Sequence, residues 1–161
     1  MKFLKTIRFD PSDTHVYPTA AEPDEWAVPG GFSFSGATEA HLTGKTKQAF
    51  SNGFLSLQSQ GYSTFVSVAE IDEVAVERLK TELAVMFVDG FGAPSIEAAL
   101  PVSTDEIGFV LDMCANVAIN SIFTLRRFFD ETGEIREEFS IVDKPGEKLH
   151  ARVWDVVEDN A

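Results

Sequence analysis

The chain has 161 residues, 44% hydrophobic and 24% charged, a composition ordinary for one globular domain and far from that of a disordered chain. The single cysteine, Cys114, cannot close an internal disulfide, and no CxxC or Cys/His cluster offers a zinc site, so a reducing compartment, no metal and no cofactor are expected. Thirteen Lys and Arg stand against 26 Asp and Glu, and the formal net charge of −13 repels phosphate backbones and anionic lipid, which sets aside nucleic acid and membrane surfaces as partners.

Met1 to Asp10 lacks the apolar run of a signal peptide, and nothing downstream approaches the ~20 apolar residues of a membrane span, so a cytoplasmic location is expected. Basic residues are absent from Phe9 to Gly44 and again from Thr81 to Leu125. The acids there form either a negative face for a basic partner or cation, or a solubilising surface.

Lys2 to Phe9 alternates polar and apolar residues at the period of a half-buried strand. Asp10 to Gly31, with Pro11, Pro18, Pro23 and Pro29, reads as an irregular excursion with short extended pieces around Val16 and Trp26, and Phe32 to Ser35 as a further strand. Thr43 is placed to cap a short helix through Asn52, with Gly53 beyond its end to take a positive φ. Phe54 to Leu57 and Tyr62 to Glu70 are expected to pair as a hairpin about Gln60-Gly61.

From Asp72 to Val88, Val74, Ala75, Leu79, Leu83, Met86 and Phe87 recur at helical spacing, and Asp89 to Pro94 reads as the helix terminus and a turn. Ser95 to Leu100 suggests a short helical turn. Ser103 and Glu106 then suggest a capping box opening a helix that buries Ile107, Val110, Leu111, Cys114 and Val117. Asn120 to Phe129, Glu134 to Val142 and Lys148 to Val157 read as three strands, whose short connections imply an antiparallel meander.

Few motifs carry chemistry. Gly44-Lys45-Thr46 resembles the end of a phosphate-binding loop, but Glu39 stands where that loop needs its first glycine. The bland reading is a helix start with Lys45 and Lys47 in solvent. His15, His41 and His150 have no ligand spacing, and there is no HExxH, HxH or GxSxG, so no catalytic residue is assigned. Asp130 to Glu134 is acidic like a calcium loop but falls between strands, where a hairpin turn is expected, with Arg126, Arg127, Glu137 and Glu138 as cross-strand charge pairs.

Met1-KFLKTIRFD, Glu25-WAVPGGFSFSG and Gly44-KTKQAFSNGFLSLQSQGYSTFVSVAE resemble a family of short, functionally uncharacterised alphaproteobacterial proteins, a domain of unknown function, over essentially the whole chain. The resemblance implies no activity, cofactor or site.

The expected fold is a single α+β domain over residues 1–161, with a mostly antiparallel sheet, two to three helices and a C-terminal three-stranded meander. Its expected role is a non-enzymatic accessory or protein-interaction domain. The alternative is a small-molecule-binding protein or enzyme with a pocket between sheet and helices, where Lys45, His150 or Trp154 would line the site. Fourteen Phe, and the apolar groups on both faces of Asn120 to Phe129, suggest that a homodimer or the N-terminal excursion, through Val16, Tyr17, Trp26 and Val28, covers one face.

Overall fold

The structure is a computed structural model and describes residues 1–9 and 11–142, together with the backbone of 153–157. Eight strands form one sheet: β1 (Lys2–Ile7), β2 (Trp26–Val28), β3 (Phe54–Ser56), β4 (Tyr62–Ser63), β5 (Phe65–Glu70), β6 (Ile122–Phe129), β7 (Ile135–Val142) and β8 (Val153–Val157). The order is β4-β3-β2-β1-β5-β6-β7-β8, and every neighbouring pair is antiparallel. Helices α1 (Asp13–Val16), α2 (Gly44–Asn52), α3 (Glu73–Gly90) and α4 (Ile96–Cys114) complete the α+β architecture. Among the described residues no helix is long and apolar enough to cross a membrane.

Phe3 and Leu4, successive residues on opposite faces of β1, are both fully buried, so the middle of the sheet is covered on both sides. Helix α3 begins where the periodicity places it, because the Asp72 carboxylate accepts the Ala75 N–H at 2.7 Å. Leu79, Leu83, Met86 and Phe87 on α3 join Ala99, Ile107, Val110 and Cys114 on α4 in the main core. The C-terminal strands are neighbours as expected, with Phe123 opposite Ile141 and Phe139 opposite Trp154. The part of the last predicted strand before Val153 lies outside the described residues.

Several local expectations are overturned. Val16 ends the one-turn helix α1 rather than an extended piece, so among the described residues the α+β fold has four helices. Phe32 to Ser35 is not a strand: Gly31–Phe34 forms a 3-10 turn closed by Ser33 N–H to the Gly30 carbonyl at 3.0 Å. The stretch from Tyr62 to Glu70 is split at Thr64, whose N–H and hydroxyl both donate to Asp13. Only its first two residues pair with β3, and the rest pairs with β1.

Thr43 occupies the N-cap position of α2 without a side-chain capping bond. Gly53 has φ −92°, so no left-handed turn explains it. A Cβ there would lie 2.8 Å from both the Ala49 carbonyl oxygen and Tyr62 Cδ1, and close approach is the reason for the glycine. Ser103 and Glu106 open no helix, because α4 starts at the Ser95 cap, whose hydroxyl accepts the Ala98 N–H at 3.1 Å, and runs on through Pro101. Proline forfeits one backbone bond. Packing against α3, where the Ser103 hydroxyl donates to the Lys80 carbonyl at 2.8 Å, carries the helix across it.

Candidate functional site

Lys45 is exposed in the first turn of α2, His150 lies outside the described residues, and Trp154 is described only as a backbone position in β8. His15 and His41 are exposed on separate short helical turns, and the His41 ring is engaged by the Thr38 hydroxyl at 2.8 Å. Among the described residues, no three His, Cys, Asp or Glu side chains cluster as metal ligands would. Cys114 is fully buried, and burial pushes its thiol up to about 12 against a weaker opposing pull from Lys2, which makes it a core thiol and a poor nucleophile.

The acidic turn is internally saturated. Asp130 Oδ1 accepts from the Thr132 N–H, the Thr132 hydroxyl and the Glu134 N–H, while Oδ2 accepts from Arg136 Nε at 2.9 Å. The hydroxyl bond leads these in holding the Asp130 carboxyl well below the usual carboxylate range.

Arg127 is completely buried on the same hairpin, close to its turn and opposite Glu137. Its Nε and Nη2 donate to one oxygen of Glu137 at 2.9 and 2.7 Å. Nη2 also donates to the Pro29 carbonyl at 2.6 Å, and Nη1 donates to the Phe50 carbonyl at 2.8 Å with the Ala49 and Gly53 oxygens at 3.4 Å. The guanidinium thereby closes the last turn of α2, whose carbonyls have no partner within the helix. Every donor direction is spent on the protein, so the cluster is structural.

The remaining feature of functional character is a cleft of about 540 Å³ between the 3-10 turn and the junction of α3 with α4. Phe32 lines it, edge-on to Phe87 at 4.8 Å and to Phe91 at 5.3 Å. Gly92, at φ +79°, turns the chain so that the Ala93 N–H returns to the Phe87 carbonyl at 3.0 Å. Pro94 and the Ser95 cap then launch α4, which lends Ala98, Ala99 and Val102 to the wall. Glycine and alanine leave the space open, and aromatic groups line it.

Phe91 is 41% and Val102 57% exposed at this cleft. Among the described residues its side-chain polar groups are the hydroxyls of Ser33 and Ser35, and the first already donates to the Gly30 carbonyl at 2.7 Å. Among the described residues no titratable side chain lines it, so the arrangement is suited to burying an apolar group rather than to moving protons. A second hollow of about 420 Å³ lies beside Lys2, Glu70 and Asp112, where the Lys2 ammonium is already committed to the Val117 carbonyl at 2.8 Å.

Sequence reasoning missed this cleft because it read Phe32 as a strand residue. The available signal was Phe91, a large aromatic between two glycines in a turn, where no regular face exists to bury it.

A family of unknown function, DUF6505, matches residues 1–157. The chain belongs to that family. No curated protein and no solved structure matches it. Membership agrees with the domain of unknown function read from the sequence and carries no activity to the cleft.

Proposed function

We propose that this protein is a non-enzymatic cytoplasmic accessory domain that binds an apolar side chain of a protein partner in the Phe32, Phe87 and Phe91 cleft. The observation that carries the reading is the exposure of Phe91 and Val102 in a cleft lined by Phe32 and Phe87, with no titratable lining group among the described residues. Covering a large apolar side chain of this kind is worth about 1.5–3 kcal/mol, enough for a few such contacts to sustain a transient interaction. The lone buried cysteine agrees with a reducing compartment.

Nile red, a neutral apolar dye, tests the reading. It should bind the native protein with enhanced fluorescence, and the combined Phe91→Ala and Val102→Ala variant should lose at least about tenfold in affinity, the equivalent of ~1.4 kcal/mol. Its urea midpoint should fall only modestly, because Val102 is 57% exposed and Phe91, though it packs on Phe32, is 41% exposed. Unchanged dye binding in a folded variant would remove the cleft from consideration.

A further inference from the structure

We infer that the occupant of the cleft is a peptide segment of a partner protein whose apolar side chains are flanked by Lys or Arg. This rests on the binding reading above and adds the charge and chemical class of what binds.

The cleft is built from residues between 32 and 35 and between 87 and 102. Both sets fall inside the stretches that contain no Lys or Arg, 9–44 and 81–125. Those stretches hold 12 of the 26 acidic residues and none of the 13 bases, leaving 14 acids and 13 bases in the remainder. Within those stretches Asp24 is paired with Lys5, Glu82 with Arg78, and Asp13 is bonded to Thr64, so the charge at the cleft is carried by the acids that adjoin its lining residues.

Asp89 adjoins the lining residue Gly90 and Glu97 adjoins Ala98, while Asp105 lies one turn beyond Val102 on the same side of α4; all three acids are exposed. The C-terminus of α3 and the N-terminus of α4 meet here with opposite dipoles that offset each other, so the acidic side chains set the sign of the field. An apolar cleft with an acidic surround attracts cations and rejects anionic ligands.

The spread of charge favours a peptide over a small organic cation. Glu97 and Asp105 are eight positions apart on one helix, a rise of about 12 Å, and one small cation seated in the cleft cannot neutralise both. A peptide with an apolar anchor and bases on either side can.

Selection from a randomised peptide display library tests this, with the Phe91→Ala and Val102→Ala variant as the counter-target. Sequences retained only by the parent protein should carry an apolar anchor flanked by Lys or Arg. A synthetic consensus peptide should bind at least about tenfold more weakly when its bases become Gln, with a similar loss on the combined Asp89→Asn, Glu97→Gln and Asp105→Asn protein, and should weaken as salt rises.

Phe91-dependent peptides without a basic excess would overturn the charge assignment and leave the cleft reading intact. No Phe91-dependent peptide at all, together with loss of the dye result, would remove both. Dodecylammonium binding as tightly as the peptide and indifferent to Glu97 and Asp105 would make the occupant a small cation. A particle of twice the chain mass, abolished by the Phe91 substitution, would make it a second copy of this chain. Either of those last results overturns the proposal.

Discussion

Among the described residues Arg127 is the largest fully buried side chain, and it sits in a strand beside Phe123, Leu125 and Phe129, which share its alternation. Its sequence signature is only that of one arginine among two, both facing glutamates across a hairpin. Arg126 and Glu138 make the exposed pair, at 3.0 and 3.1 Å, and Arg127 and Glu137 make the buried one. The charge pairing was legible from the sequence. The burial was not, because it depends on the last turn of α2 and the Pro29 carbonyl arriving from far away along the chain. A buried charge stripped of its partner is costly, so Arg127→Met should destabilise the fold by about 3–5 kcal/mol. Adding Glu137→Leu should recover only part of the loss, since the Phe50 and Pro29 carbonyls still lack a donor. Urea midpoints of the single and double variants measure this; full recovery in the double variant would show that the carbonyl bonds contribute little.

At the scale of elements, those with a strong local signal were readable. The α3 helix has both periodicity and an N-cap, and the β6–β7 hairpin has turn formers between two β-rich runs. Phe32 to Ser35 failed because four apolar and small residues fit a strand as well as a turn, and the packing of Phe32 on Phe87 decided between them. Thr64 failed similarly: its divided strand is fixed by Asp13, a contact across the chain. The β6–β7 turn supplies a pH prediction. The folded-state proton affinity of Asp130 is lowered from an ordinary value of 3.8, chiefly by the Thr132 hydroxyl, so its ionised form is favoured in the native hairpin. That stabilisation is present above pH 3.8 and is lost as the pH falls below it towards the depressed native value. Asp130→Asn should therefore be less stable than the parent at neutral pH, with the gap between their urea midpoints narrowing in acid. A gap independent of pH would mean that the turn draws nothing from the charge of Asp130.

For the molecule as a whole, the uneven charge was plain in the sequence, whereas the cleft needed a tertiary contact between distant segments to exist. Association is where the whole molecule changes the expectation most. Considered alone, β6 has large apolar groups on both faces, which is why a homodimer or the N-terminal excursion was needed as cover. In the fold, Phe123 and Leu125 are buried, and Phe129 stacks on Phe50 at 4.7 Å. Around that stack a second apolar cluster gathers Tyr17, Phe34 and Ile135, so the excursion contributes cover through Tyr17. Tyr17 is anchored by its hydroxyl on the Thr64 hydroxyl at 2.6 Å, and burial pushes it up to about 12. On the opposite face the Arg126 guanidinium lies 4.3 Å from the Phe128 ring and is held there by Glu138, while Ile122 is half-buried. Among the described residues, β6 thus retains no large bare apolar side chain to drive self-association. The expected result of light scattering at micromolar concentration is a monomer of 17.7 kDa. A particle of twice that mass would restore the homodimer, and Phe128→Ser would then report whether β6 forms its interface: dissociation would place it there, and persistence would direct attention to the Phe91 cleft.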